Sequence, residues 1–559
     1  EGFEHLPRPA HPSDPSSVMA LPTHCTSNRA VEATVPGPAL AIEGGGLRAL
    51  SVAAGLTAGL VKAATPGDED PTLLDSGLYR KFASLASVSG GSWFAASLIY
   101  SPRFLSLVED TAADPQHAAT EWSRRWVDPW LAAVVSKDGL LVKTLAAMLN
   151  AMGDVGLAQD IELAGYLSQT GFTWTNFTMT MLETTAGIER SCTLGSPVQE
   201  WARGKAWLAC HALAAPATEA QTPVYVYRHE LPTTAVRMTI EGSPGLAQYV
   251  PATYSFELGS DRRCAAVPYV ANSAIPGDAR WVYHGTSIGG CLPWCCGRRY
   301  FAKSAAVGTF GSLISDACSL PVASCAAASS AFLGDLVFEQ AATSLVDDVS
   351  GSVAVWQGCG LGQAAFSEAE GLVQGFTGPA SVSQKTVDQL AASSVNAAVD
   401  AGFSDTTGIA YAVAAGSTEI VAYLDYNTPD HLAHLFRGSY TIDGVAFDEN
   451  PLPVFDESAS GIVSAYQAFP QLALTPDARF LTAICIGTLK ANTVENALWG
   501  IKGGINVTLH IIGVSSTVTI GQLEDVYHYG ALVQEVTETV ASDENHDLVH
   551  GAVLPWFMS

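Results

Sequence analysis

Hydrophobic residues occur along the chain in short runs bounded by glycines, and two of these runs have the composition of buried strands that lead into helices. Residues 38–43 are mostly apolar and continue, through a glycine-rich turn, into an Ala/Leu/Val-rich segment that ends near Ala64. Residues 82–88 alternate apolar and small polar side chains, and the apolar segment 94–100 follows a second glycine-containing turn. The pattern predicts two strand–turn–helix units, which is typical of an α/β fold.

The turn after the second strand has the composition of a nucleophile elbow. Residues 87–93 read Ser-Val-Ser-Gly-Gly-Ser-Trp, so Ser89 stands at a sharp strand-to-helix junction and is followed by Gly90 and Gly91. Such a turn pushes the serine Oγ out of the sheet edge, and small neighbours let a substrate carbonyl approach it. Ser87 stands at the first glycine of the usual G-x-S-x-G pattern. A flexible loop is the alternative interpretation of this run.

The turn after the first strand predicts an anion site; it reads Gly44-Gly45-Gly46-Leu47-Arg48-Ala49. Glycines at a strand–helix junction leave backbone N–H groups uncovered at the positive end of a helix dipole. One candidate anion is the oxyanion of acyl transfer. The other is the pyrophosphate of a dinucleotide, because the same turn satisfies G-x-G-x-x-A. That site needs an acidic residue at the end of a second strand, whereas Asp68 and Glu69 lie in a loop with no strand before it.

A third turn, Asp400-Ala401-Gly402, follows a short segment of mixed apolar and polar residues at 395–399. An Asp at the carboxyl end of a strand is placed to meet a serine across the sheet edge. An ordinary Asx-turn is the alternative. The rival aspartate is Asp443, which precedes a glycine in a loop-rich segment. We prefer Asp400 because a strand-like segment, 419–426, follows it.

Together the three turns resemble the catalytic domain of the group IV cytosolic phospholipases and fungal lysophospholipases (phospholipase B), in the patatin-like superfamily. That family has a Gly-Gly-Gly-x-Arg turn, then Gly-Leu-Ser-Gly-[Ser/Gly]-[Ser/Thr]-Trp, then an Asp-[Ser/Gly]-Gly turn, and this chain has 44–48, 87–93 and 400–402 in that order. Weaker similarities lie at 254–259 and 419–426. The resemblance covers roughly residues 36–430. The chain departs from the family at two positions, Ser87 and Ala401.

The resemblance implies a three-layer α/β/α patatin-like sheet with inserted cap segments, and a catalytic dyad without histidine. Ser89 would attack an ester carbonyl and form an acyl-serine, with Asp400 as the base. Gly45 and Gly46 would stabilise the oxyanion through their backbone N–H groups, and no cofactor is implied. Arg48 would hold a lipid phosphate or support the oxyanion site; its alternative is a structural ion pair with the neighbouring Glu43. The implied activity is that of a phospholipase or lysophospholipase.

Other functions remain open from the sequence. A lipid acyltransferase would use the same dyad and differ only in the acceptor that resolves the acyl-enzyme. A catalytically inactive lipid-binding protein is a further alternative, because Ser87 and Ala401 depart from the family pattern. A dinucleotide-dependent oxidoreductase that uses the turn from Gly44 to Gly46 is the most distant alternative.

Length and composition fit a large globular enzyme. The chain has 559 residues, of which 48% are hydrophobic and 14% charged, so it is not of the disordered type. Residues 1–37 are predicted to form an N-terminal arm because Pro, Ser and His are frequent there. Residues 38–559 are predicted to form one catalytic domain, with cap insertions within about 101–390.

The net charge of −27 disfavours nucleic acid as a partner, and it disfavours adsorption to anionic membranes. We therefore expect a lipid or lysolipid substrate that is neutral or zwitterionic, reached through transient apolar contact with a lipid interface. No uninterrupted apolar span of about 20 residues is present, so no transmembrane helix is predicted. His431 and His434, with Asp425 and Asp430 nearby, give only an incomplete metal motif, and no metal site is predicted.

Cysteine usage predicts an oxidising, extracytoplasmic location, either secreted or luminal. The chain has 11 cysteines, the densest cluster being Cys291, Cys295 and Cys296, and a disulfide cluster fits them better than zinc. Asn176 and Asn506 stand in N-glycosylation sequons. The chain begins Glu-Gly-Phe without an initiator methionine, as a trimmed mature protein does.

Overall fold

The structure is a computed structural model of the full chain. The description covers residues 37–136, 174–216, 228–229, 246–257, 267–270, 321–330, 397–403, 405–425, 430–437, 440–442, 445–447, 453–456, 459–495, 501–518 and 526–558. Within these residues the protein is a mixed α/β structure built on one large, mostly parallel sheet.

The described strands are β1 (Ala39–Ile42), β2 (Ser84–Ser87), β3 (Ala206–Pro216), β4 (Arg228–His229), β5 (Leu246–Glu257), β6 (Val267–Val270), β7 (Ala397–Asp400), β8 (Glu419–Leu424), β9 (Tyr440–Ile442), β10 (Val445–Phe447), β11 (Leu481–Asn492) and β12 (Asn506–Ser516). The main sheet has the order β11-β12-β8-β1-β2-β3-β5-β6, and β7 pairs with β3 off this path. Neighbours from β12 to β3 are parallel. Strands β11, β5, β6 and β7 run antiparallel to their partners.

The described α-helices are α1 (Gly46–Ala64), α2 (Gly90–Tyr100), α3 (Pro102–Ala113), α4 (Ala118–Trp122), α5 (Asp128–Ser136), α6 (Trp174–Ala186), α7 (Val322–Ser329), α8 (Ile409–Ala414), α9 (Asp430–Arg437), α10 (Ala459–Gln467), α11 (Val526–Ala541) and α12 (His546–Leu548). Short 3₁₀ and π segments connect several of them, and β4, β10 and β9 form a small second sheet. The α/β class predicted from the sequence is therefore confirmed for the described residues.

Helix α1 lies in the core because its glycines allow α11 to approach closely. A Cβ on Gly55 would come within 2.9 Å of the Val536 side chain, and one on Gly59 within 2.7 Å of Val540. The Thr537 hydroxyl also donates to the Gly55 carbonyl at 3.2 Å. Among the described residues, α1 is the one helix long and apolar enough to cross a bilayer, and 83% of that apolar stretch is buried inside the protein. Apolar composition on all sides is typical of such a core helix.

Strand β1 places the first two sequence motifs side by side. It pairs in parallel with β2 on one side and with β8 on the other. In the β1–β2 pair, Ile42 lies opposite Ser87, so both strands end at the same level and their turns emerge together. A crevice at the carboxyl ends of parallel strands is the usual place for a ligand in open α/β sheets.

Most elements predicted around the motifs are present with shifted ends. The strand predicted at 82–88 is β2, and the helix predicted from 94 begins earlier, at Gly90. The segment predicted at 395–399 becomes β7, which includes Asp400. The predicted N-terminal arm lies outside the described residues, apart from Gly37. Most of the segment predicted to hold cap insertions lies outside them as well.

Candidate active site

Ser89 sits at the junction of β2 and α2 in a strained backbone conformation. Its φ is 48° and its ψ is −120°. Within the described residues, Tyr79 is the other non-glycine residue with positive φ. Such a conformation costs about 1–3 kcal/mol and persists where surrounding contacts enforce it. A strained serine between a strand and a helix is the geometry that the elbow hypothesis requires.

The glycines beside Ser89 are needed because the two turns touch. A Cβ on Gly90 would overlap the backbone of Gly46, and one on Gly91 would come within 2.6 Å of the Glu43 carbonyl oxygen. The Ser89 Cβ lies 3.0 Å from the position that a Cβ on Gly44 would take. The serine turn and the glycine turn are therefore in direct backbone contact.

Asp400 is the hydrogen-bond partner of Ser89. The Ser89 hydroxyl donates to Asp400 Oδ2 at 2.7 Å, across 311 positions of sequence. The Gly402 N–H donates to the other carboxylate oxygen at 2.7 Å, so the turn after β7 fixes the carboxylate. Strand β7 runs antiparallel to β3, with Asp400 opposite His211, whereas β2 runs parallel to β3. The strands that carry Asp400 and Ser89 therefore point in opposite directions, and both residues lie at the carboxyl ends of their strands. The structure thus brings together the two residues that sequence analysis proposed as a dyad.

The environment of Asp400 suits a base. The residue is 7% exposed. Burial raises the pKa of Asp400 from 3.8 to about 7, and the hydrogen bonds from Gly402 and Ser89 oppose that rise. A carboxylate with a pKa near neutral pH can both accept a proton and return it.

Gly45 and Gly46 begin α1 with positive φ values, 139° and 59°. Within the described residues their N–H groups donate to no backbone acceptor, and no side chain caps α1. The same holds for Gly90 at the start of α2, a donor that sequence analysis did not propose. Uncovered N–H groups at helix N-termini attract negative charge. These donors therefore lie in the two contacting turns beside Ser89, an arrangement that suits an anion.

Arg48 forms an ion pair with Asp425, a partner that the sequence did not suggest. Arg48 Nε lies 3.1 Å from Asp425 Oδ2, and both side chains are nearly fully buried. A Cβ on Gly45 would overlap the Asp425 carboxylate, so this ion pair lies directly behind the glycine turn. Arg48 therefore has a buried ion pair, and both roles that the sequence offered for it stay predictions.

Glu43 joins the same buried cluster. It is 1% exposed, and the Asp425 N–H donates to its Oε2 at 2.7 Å. Burial raises the pKa of Glu43 from 4.5 to about 8, against the lowering effects of the hydrogen bonds with Asp425 and of the Arg48 charge. Burial therefore favours the protonated form of Glu43, and its hydrogen bond to Asp425 joins the end of β1 to the end of β8.

His434 contacts Asp405, a partner that sequence analysis missed. Its Nε2 lies 3.0 Å from Asp405 Oδ1, and both side chains are buried. Two residues of the incomplete metal motif therefore have separate partners: His434 contacts Asp405, and Asp425 contacts Arg48. No group of three or more potential metal ligands occurs in the described part of the chain.

Helix α7 also reaches the site, and no sequence signal pointed to it. The Ser89 N–H donates to Ser329 Oγ at 3.0 Å and faces the Ser329 carbonyl oxygen at 3.2 Å. A serine 240 positions from Ser89 carries no local pattern that would connect the two.

The remaining predicted site residues lie apart from the dyad. Asp68 and Glu69 are exposed in the loop after α1, about 28 Å along that helix from the glycine turn. Asn506 is exposed at the start of β12, and Asn176 lies in α6.

The cysteine predictions are mostly beyond what the structure describes. Four cysteines lie among the described residues, and no disulfide joins any two of them: Cys192, Cys210, Cys325 and Cys485. The predicted disulfide cluster around Cys291 lies outside the described residues, and so does the rival aspartate Asp443.

Comparison with known proteins gives no assignment, since no protein-family model matches the chain and no curated protein matches it significantly.

Proposed function

We propose that this protein hydrolyses a carboxylic ester through an acyl-Ser89 intermediate. The observation that carries the proposal is the 2.7 Å hydrogen bond from the strained Ser89 to the buried Asp400. The uncapped starts of α1 and α2 beside it support the proposal, because acyl transfer needs donors for an oxyanion.

In the proposed reaction Asp400 accepts the Ser89 hydroxyl proton as Oγ attacks the ester carbonyl carbon. The carbonyl electrons move onto oxygen, and the N–H groups of Gly45 and Gly46, with that of Gly90, stabilise the anion. When the tetrahedral intermediate collapses, Asp400 returns the proton to the leaving alcohol. Asp400 then removes a proton from the water that attacks the acyl-serine, and it returns that proton to Ser89 Oγ as the bond to the acyl group breaks and the fatty acid is released.

Arg48 supports the glycine turn through its ion pair with Asp425. The Asp425 carboxylate packs against Gly45 so closely that no side chain could fit there, and this contact holds the turn in its positive-φ conformation. We therefore propose support of the oxyanion site as its role, since its side chain is 6% exposed.

The proposed substrate is a phospholipid or lysophospholipid, and the proposed fold family is patatin-like with cap insertions. The three motif turns and their convergence at one sheet edge support both. The net charge of −27 favours a neutral or zwitterionic headgroup over an anionic one. We further propose an extracytoplasmic location, as the cysteine usage suggests.

A fluorophosphonate probe tests the proposal because it labels activated serines. Wild type should be labelled at Ser89 and should release fatty acid from at least one member of a panel of phosphatidylcholine, lysophosphatidylcholine and p-nitrophenyl butyrate. Ser89→Ala should lose both properties. Ser97→Ala is the matched control, since Ser97 is buried in the same helix away from the dyad. A folded wild type that is neither labelled nor active would overturn the proposal in favour of a non-catalytic protein.

A further inference from the structure

A chain of buried hydroxyl groups runs from the core to the backbone of Ser89. Trp207 Nε1 donates to Ser87 Oγ at 2.9 Å, and Ser87 Oγ lies 2.8 Å from Ser92 Oγ. Ser92 Oγ lies 2.8 Å from Ser329 Oγ, which accepts the Ser89 N–H at 3.0 Å. The hydroxyl groups of Ser87, Ser92 and Ser329 are donor and acceptor at once, so each link can be satisfied with the protons running in either direction.

Each member of this chain is inaccessible to solvent. Ser87, Ser92 and Ser329 are all 0% exposed, and Trp207 is 1% exposed. Buried hydroxyls without partners are costly, and a completed network in a low-dielectric interior is rigid. The chain therefore fixes three segments that are distant in sequence: β3, the elbow and the end of α7.

The hydroxyl chain explains why a serine stands at position 87, where the usual elbow pattern has a glycine. A glycine at 87 would leave the indole N–H of Trp207 and the Ser92 hydroxyl each without this partner. Ser87 is thus the link through which the core strand β3 connects to the elbow. Ser87, Trp207 and Ser329 are therefore members of one hydrogen-bond network.

The Ser89 amide is fully engaged by α7. Its N–H faces both the hydroxyl and the carbonyl oxygen of Ser329. This engagement leaves the oxyanion to Gly45, Gly46 and Gly90, and it opposes relaxation of the strained φ and ψ at Ser89.

We propose that Ser329 is a positioning residue that holds the Ser89 backbone in its reactive conformation through the Ser87–Ser92–Ser329 hydroxyl chain. The kinetic consequence rests on the proposed hydrolase function, whereas the backbone consequence does not. Among the described hydrogen bonds, the Ser329 hydroxyl contacts the Ser89 N–H and the Ser92 hydroxyl and not the Ser89 Oγ.

Ser329→Ala tests the proposal against a close control. Loss of one hydrogen bond that holds the elbow should lower kcat for p-nitrophenyl butyrate about tenfold and leave KM nearly unchanged. The rate of fluorophosphonate labelling should fall by a similar factor. Ser330→Ala is the control, because Ser330 is 1% exposed, adjoins the end of the same helix and accepts from Trp93 Nε1 instead of Ser89. It should change kcat by less than about twofold.

Hydrogen exchange supplies a readout that needs no activity. The Ser89 amide should exchange faster in Ser329→Ala than in wild type or Ser330→Ala, measured on a peptide that covers residues 84–93. If Ser329→Ala does not fold, Ser329→Cys keeps the side-chain position with a weaker acceptor and should show the same changes.

Two results separate the inference from the function. Equal kcat and equal exchange in Ser329→Ala and wild type would overturn the positioning role. A wild type without activity would overturn the proposed hydrolase, while faster exchange in Ser329→Ala would still support the backbone role.

Discussion

Two buried aspartates five positions apart differ in how many hydrogen-bond donors surround each carboxylate. Asp405 is 0% exposed, and its two oxygens bond the Thr407 N–H, the Thr407 hydroxyl, the Ala410 N–H and His434 Nε2. Asp400 is 7% exposed and bonds only the Gly402 N–H and the Ser89 hydroxyl among the described residues.

The two sites differ in how many protein hydrogen bonds replace those that water makes to an exposed carboxylate. Hydrogen bonds to a carboxylate favour its charged form, and burial without enough of them disfavours it. At Asp400 burial dominates and raises the pKa to about 7. Asp405 instead organises a turn, since its donors come from the residues that begin α8 and from α9. Asp400, with two described donors, therefore fits the proposed role of a base, and the contacts of Asp405 fit a role in holding the turn.

Asp400→Asn is the strongest test of this comparison. The amide keeps the shape and an acceptor for Gly402 but cannot take the Ser89 proton, so kcat/KM should fall about 100- to 10,000-fold. The free energy of unfolding at pH 8 should rise, on the order of 2 kcal/mol, because a poorly solvated charge is removed. Ester hydrolysis and urea unfolding measure the two effects.

The pH dependence of the wild type provides the control for Asp400→Asn. Asp400 must be ionised to act as the base, so kcat/KM should be half-maximal near pH 7 and fall about tenfold per pH unit below it. Near-normal activity in Asp400→Asn, or an acid limb that persists unchanged in it, would transfer the base role to another residue.

Asp405→Asn should give the opposite result. An asparagine replaces one of the two carboxylate oxygens with an N–H₂ group that cannot accept the hydrogen bonds made there, so the free energy of unfolding should fall by about 3 kcal/mol. The folded protein should retain its labelling by fluorophosphonate, because Asp405 does not contact Ser89. Complete loss of labelling in a sample shown to be folded would contradict the separation of the two aspartates.

The sequence predicted the local turns well because their geometry depends on adjacent residues. Gly44–Gly46 and Ser89-Gly90 need small residues at fixed positions, and those positions are visible in the chain itself. The convergence of Asp400 with Ser89 was predicted through the family resemblance, since no local pattern carries it. Whether the dyad is catalytic stays a prediction.

Long-range partners were the part that sequence could not supply. Arg48 pairs with Asp425, 377 positions away, although an acidic residue lies much nearer in the chain. The contact of Ser89 with Ser329 depends equally on how distant segments pack. Charge and hydrogen-bond capacity can be read from residue types, but the choice of partner is set by the tertiary fold.

Glu43 is a third buried carboxyl group, and burial raises its pKa to about 8. Between its unfolded value of 4.5 and about 8, the native state binds more protons than the unfolded state, so stability falls as pH rises through this range. Glu43→Gln keeps an acceptor for the Asp425 N–H but no longer titrates. Its unfolding free energy should therefore decline less than that of wild type between pH 7 and pH 8, by up to about 1 kcal/mol.

Asp400→Asn should flatten the curve mainly below pH 7 instead, because that carboxyl is largely ionised above its pKa. Denaturant unfolding across pH 5–9 measures both variants, and a Glu43→Gln curve parallel to that of wild type would show that Glu43 does not hold its proton in the folded protein.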